Sequence, residues 1–126
     1  MDNQPIDSSN SSPCILVVED NDDVRMLYEQ AMACEGYKTV LASNGEEALH
    51  VLRDTGCKPS LILLDLMMPV MDGWTFLRER SKYPDLSSIP VVICSASRDS
   101  VPPDLRTLRK PVDLNALLEV AEEFCV

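Results

Sequence analysis

Three stretches of the chain are apolar without alternation: Ile15-Leu16-Val17-Val18, Leu61-Ile62-Leu63-Leu64 and Val91-Val92-Ile93. A strand with one face in water alternates between apolar and polar, so these runs predict strands covered on both faces, as in a parallel sheet between helices. Two mixed segments, Tyr37–Leu41 and Leu105–Leu108, suit strands nearer the sheet edges. Between the runs the hydrophobic period lengthens to that of a helix. Val24, Leu27, Tyr28, Ala31 and Met32 fall on one helical face, and Gly36 is placed to end that helix. Asn44 opens a second helix with Glu47 as its capping-box partner, and Gly56 follows the last turn. Trp74 and Leu77 mark a third. Leu114, Leu117, Leu118, Ala121 and Cys125 mark the last, with Asp113 as N-cap.

This order of short buried strands and amphipathic helices predicts an α/β fold, a doubly wound five-stranded parallel sheet with the flavodoxin-like strand order 2-1-3-4-5. Residues 1–13 are polar and rich in Ser and Asn, a composition that predicts a disordered N-terminal tail. Residues 14–126 then form one domain, large enough to bury a core without disulfides or a structural metal.

The net charge of −10 disfavours partners with anionic surfaces, nucleic acid and membrane among them. The five cysteines are odd in number and include no C-x-x-C pair, and His50 is the single histidine. Reduced thiols fit this pattern better than a zinc site or a redox motif, and with no apolar run of membrane-spanning length the expected location is cytoplasmic. His50, on a helix beside Ala48, Val51 and Leu52, is expected at the surface without a role.

In doubly wound sheets the ligand site lies outside the carboxyl ends of the strands. Those ends carry Glu19 and Asp20 after the first strand, Asp65 after the third, Ser95 after the fourth and Lys110 after the fifth. Three acids in one crevice repel each other by several kcal/mol, on the order expected for unscreened neighbours, unless a cation neutralises them. Oxygen ligands of this kind, with water and phosphate oxygens, suit Mg²⁺. Asp20 and Asp65 are the expected direct ligands, with Glu19 directly or through water and a backbone carbonyl near Met67; Lys110 adds a second cation. A carboxylate so placed is able to attack phosphorus and form an acyl phosphate, and Asp65, behind which stands a rigid apolar strand, is the best nucleophile. Ser95 would then donate its hydroxyl to a phosphoryl oxygen only after transfer, giving the modified state a contact that the free state lacks.

The segments ILVVEDN (15–21), LILLDLMMPVMDGW (61–74), VVICSAS (91–97) and RKPVD (109–113) resemble the receiver domains of response regulators. That resemblance implies a two-component phosphorylation switch in which Asp65 takes a phosphoryl group from a histidine kinase. Glu19 and Asp20 would be the acidic pair, Ser95 the switch hydroxyl and Lys110 the family's lysine. Pro69, Asp72 and Gly73 would shape the loop after the acceptor, and Pro111 would follow the lysine through a cis peptide bond.

Two features depart from the family. Only fourteen residues separate Ser95 from Lys110, and Pro102 and Pro103 lie among them, so the fourth helix is expected to be absent or a single turn. Thr107 stands where the family commonly has an aromatic residue. The last helix runs to the end of the sequence, which resembles single-domain regulators that signal to a downstream protein by contact. Two other readings compete: a receiver-like interaction domain that works without phosphorylation, and a Mg²⁺-dependent aspartyl-phosphate phosphohydrolase. The latter commonly carries a second acid where Met67 stands.

Overall fold

The computed structural model describes residues 14–96 and 101–125; the expected tail over 1–13 lies outside the described residues. The strands are β1 (Cys14–Val18), β2 (Lys38–Ala42), β3 (Leu61–Asp65), β4 (Val91–Ser95) and β5 (Arg106–Arg109). The helices are α1 (Asp22–Cys34), α2 (Gly45–Asp54), α3 (Gly73–Arg80), the single turn α4 (Pro84–Ser87) and α5 (Leu114–Phe124). All strand pairs are parallel, in the order β2-β1-β3-β4-β5, which is the 2-1-3-4-5 topology.

Successive residues of a strand point to opposite faces, and the two cores follow that rule. Leu16, Val18, Ile62, Leu64 and Ile93 pack with Ala48, Leu49 and Leu52 of α2 and with Phe76 of α3. Ile15, Val17, Leu61, Leu63 and Val92 pack with Tyr28 and Met32 of α1 and with Leu117, Val120 and Ala121 of α5. The unalternating runs are therefore buried from both sides. The edge strands β2 and β5 are more exposed, and each begins and ends one residue later than its apolar pattern predicts. The ladder to the neighbouring strand decides this: Cys14 pairs with Lys38 and Ser95 with Arg109.

The helix ends are set by local chemistry. Asn21, Asn44, Asp72 and Asp113 each cap a helix by accepting a backbone N–H two or three residues on. Glu47 reaches back as the capping box requires, but its carboxylate accepts from the Ser43 N–H at 2.8 Å. Gly36 and Gly56 stand just beyond α1 and α2 at φ 85° and 73°, where a side chain would be strained.

One packing expectation is corrected. Leu27 lies 45% exposed, because the buried face of α1 is narrower than the apolar spacing and centres on Tyr28 and Met32. In α3 Gly73 and Phe76 are buried, and the half-buried Trp74 and Leu77 pack against the same core. Met68 and Met71 pack against the core, but Met67 is 68% exposed.

The turn α4 was not legible as a helix; Pro84 starts it and Leu86 is its buried anchor. Between β4 and β5, the described residues 96 and 101–105 hold bend and turn and no helix, as the short spacing predicts; the rest of that connection lies outside the described residues. Thr107 is exposed on β5, and His50 is exposed beside Asp54, its Nδ1 2.7 Å from that carboxylate.

Candidate functional site

The carboxyl ends of β1, β3 and β4 open into a cleft of about 540 Å³, which Glu19, Asp20, Asp65, Met67, Ser95 and Lys110 line. Four separate chain segments bring these groups together because the parallel register aligns the strand ends: Val18 pairs with Leu64, and Asp65 with Cys94. Lys110 arrives by extension of the same ladder, its backbone N–H donating to the Ser95 carbonyl at 2.9 Å. The Lys110–Pro111 peptide is cis.

Glu19 is the most deeply buried of the acids, at 1% exposure. One carboxylate oxygen accepts from the Lys110 ammonium at 2.7 Å and the other from the Asn21 N–H at 3.1 Å. Its own N–H donates to the Ala42 carbonyl, and the Arg25 guanidinium donates to its carbonyl at 2.8 Å. Asp65 is 5% exposed; Oδ1 accepts from the Met67 N–H at 3.3 Å, and Oδ2 lies 3.5 Å from the Lys110 nitrogen. Asp20 is exposed at the rim. Each of the three acids offers an oxygen within 4.8 Å of the others.

Electrostatics at this site is unbalanced. Burial, with the Glu19 charge beside it, raises the Asp65 carboxyl from 3.8 to about 6, although Lys110 and the Met67 N–H pull the other way. Burial works against the Lys110 charge, but the hydrogen bond to Glu19 and the Asp65 carboxylate outweigh it and hold the ammonium above its ordinary value. One ammonium thus faces three carboxylates. The donor set, all oxygen and short of positive charge, fits a hard divalent cation.

The loop after Asp65 is fastened by close backbone approaches. A Cβ on Gly73 would meet the Asp65 carbonyl oxygen at 2.7 Å and the Leu66 Cα at 2.8 Å, and the Gly73 N–H donates to the Leu66 carbonyl. Asp72 caps α3 through the Thr75 N–H at 2.8 Å, and the Pro69 carbonyl accepts from the Met71 N–H. Gly73→Ala is therefore expected to cost about 2 kcal/mol, read as a lower urea midpoint at unchanged slope, because both obstacles are backbone atoms.

Asn21, Val24, Trp74 and Ala96 line the same cleft and were not singled out from sequence. Asn21 was legible only as the residue after two acids, since its capping role depends on where α1 begins. Trp74 reaches the cleft because Gly73 folds the start of α3 back against Asp65, a contact that helical spacing does not encode.

Residues 15–122 match the family described as the response regulator receiver domain. This chain belongs to that family. The receiver is 40% identical over 87 residues to the probable transcriptional regulator ycf27 of Pyropia yezoensis, covering 69% of this chain and 34% of that protein. It is 35% identical over 120 residues to the sensor kinase CckA of Brucella abortus (strain 2308), covering 91% of this chain and 13% of that one. Among solved structures, the receiver domain of a hybrid histidine kinase CckA superposes with a TM-score of 0.76 at 30% identity, over 90% of this chain and 99% of that chain. The signal receiver domain of a histidine kinase from Syntrophus aciditrophicus gives 0.80 at 28% identity, with 90% of each chain covered. The receiver spans about a third or less of the first curated relatives. It is homologous to the receivers of two-component response regulators, which are signalling modules rather than enzymes. Among the described residues no helix is long and apolar enough to cross a membrane.

Proposed function

We propose that this receiver is a phosphorylation switch: Asp65 takes a phosphoryl group from a phosphohistidine of a sensor histidine kinase, and the modified domain signals to a downstream protein by contact. The observation that carries the proposal is a buried Asp65 carboxylate facing both the Lys110 ammonium and two further acids in an open cleft.

In the transfer the Asp65 carboxylate forms the new O–P bond, the P–N bond to the donor imidazole breaks, and the leaving imidazole takes up a proton. Lys110, 3.5 Å from Asp65 Oδ2, is within reach of a phosphoryl oxygen on that atom, while Glu19 holds the ammonium in place from its other side. Ser95 lines the same cleft and supplies a hydroxyl for a second phosphoryl oxygen. Pro69, Asp72 and Gly73 fix the loop that carries the Met67 N–H to Asp65. Glu19, Asp20 and Asp65, with the Met67 backbone alongside, are the residues that would hold Mg²⁺. The chemistry it supplies when bound is neutralisation of charge on the phosphoryl oxygens.

Incubation with acetyl phosphate and Mg²⁺ tests the reading by intact mass. Gain of one phosphoryl group, absent in Asp65→Ala, is the expected result; Trp74, the single tryptophan, should report Mg²⁺ binding by a fluorescence change. Rapid turnover of many equivalents would favour a phosphohydrolase instead. No modification would favour an interaction domain that works without phosphorylation, a reading to which exposed Thr107 lends weight, since nothing aromatic stands there to turn inward.

A further inference from the structure

Far from the acidic cleft, two thiols stand in contact: Cys14 Sγ and Cys57 Sγ are 4.0 Å apart and half-buried. Cys14 begins β1, whose other end leads to Glu19, so the pair sits at the amino edge of the sheet, roughly 16 Å of strand away from the acids. Backbone contacts hold the two segments in this register. The Ser60 N–H donates to the Cys14 carbonyl at 2.8 Å, which ties the segment carrying Cys57 to the start of β1. On its other side Cys57 follows Gly56, and its N–H donates to Thr55 Oγ1, which in turn donates to the Val51 carbonyl at the end of α2.

We infer that Cys14 and Cys57 form a site of reversible oxidation, closing to an intramolecular disulfide by exchange with a small-molecule disulfide such as oxidised glutathione. Bond formation requires the sulfurs to close from contact to about 2 Å, a movement of roughly 1 Å for each. Gly56 and Lys58 on either side of Cys57 are exposed, with open space around Gly56, so the loop has room for that movement, whereas Cys14 is held in the ladder with Lys38. Burial, with Cys57 next to it, pushes the Cys14 thiol up to about 11, which leaves little thiolate on that sulfur at neutral pH.

Cys57, between the exposed Gly56 and Lys58, is the sulfur that an outside disulfide reaches, and it attacks first. Its thiolate displaces one glutathione thiolate and forms a mixed disulfide; the Cys14 sulfur, once deprotonated, then attacks Cys57 and releases the second glutathione. Two protein thiols lose two electrons and two protons, and the glutathione disulfide gains them as two thiols. Cys94, buried on β4, and Cys34, exposed on α1, take no part. The buried Cys125, just past α5, is the competing partner, since it lies near enough to Cys14 to help raise that thiol.

The full chain carrying Cys34→Ser, which removes the exposed thiol, is incubated with oxidised glutathione, then alkylated and digested without reductant. The expected result is a fall of two in the free-thiol count and a peptide joined through Cys14 and Cys57, reversed by dithiothreitol. The link persists when Cys125→Ser is added and vanishes with Cys57→Ser. A Cys14–Cys125 link, glutathione retained without a bridge, a link between chains, or thiols left unchanged while the urea-unfolded chain reacts would each overturn the inference. None of these readouts depends on Asp65, so the outcome is separate from that of the phosphorylation test.

Discussion

Asp65→Asn is expected to abolish phosphoryl uptake and, at the same time, to make the metal-free chain more stable by about 2 kcal/mol at pH 7. The two effects have one origin. An ionised Asp65 is held 5% exposed beside the Glu19 charge, and these costs exceed what Lys110 and the Met67 N–H return, which is why its carboxyl is raised to about 6. Asparagine keeps the shape of the neutral acid and removes the charge. Between 3.8 and about 6 the folded chain retains a proton that the unfolded chain has released, so the unmodified protein loses stability as pH rises through that window and is level above it. Urea melts at pH 4.5 and pH 7 check this directly: the gain from Asp65→Asn should be small at the lower pH and nearly full at the higher. An Asp65→Asn variant less stable than the parent at pH 7 would mean that the carboxylate is paid for by its partners after all, and that the site needs no further cation. Added Mg²⁺ should narrow the difference by stabilising only the chain that carries Asp65.

Legibility of the fold in the sequence followed from burial on both faces. Leu61 to Leu64 read as a covered strand because every side chain there meets a helix, from α2 and α3 on one face and α1 and α5 on the other. The same argument fails at edges and on helices with narrow buried stripes. Leu27 has the spacing of a core residue and yet faces outward, because α1 meets the core through Tyr28 and Met32, a stripe narrower than its apolar spacing. The strand-end residues Glu19, Asp20, Asp65, Ser95 and Lys110 were legible because parallel register makes chain order a guide to position. Trp74 and Asn21 were not, since each enters the cleft through a backbone turn whose geometry depends on a neighbour: Gly73 in one case, the start of α1 in the other. The contact between Cys14 and Cys57 was equally hidden. It joins a strand start to the loop that leads into the neighbouring strand, and no spacing rule relates the two.

Lys110→Met should be the most destabilising single change at the site, costing about 3 kcal/mol in the metal-free chain at pH 7. The Glu19 carboxylate has a side chain only 2% exposed, and the Lys110 ammonium at 2.7 Å is its charged partner among the described residues; Arg25 is engaged with the Glu19 carbonyl and with Asp22. Methionine preserves most of the apolar stem and removes the charge, leaving a buried anion that retains only the Asn21 N–H. Asp65 loses the 3.5 Å interaction as well, so its carboxyl should rise further above 6. The share of the penalty that Asp65 carries belongs to its ionised form and should therefore shrink as pH falls below about 6 and that carboxyl takes up a proton, in contrast to an ordinary packing defect, which is indifferent to pH. Lys110→Arg separates charge from shape: if the charge is what matters, arginine recovers a good part of the stability while its broader head group still impairs phosphoryl transfer. Equal losses for methionine and arginine at both pH values would instead assign Lys110 a packing role, and would remove the cation on which the charge balance around Asp65 depends.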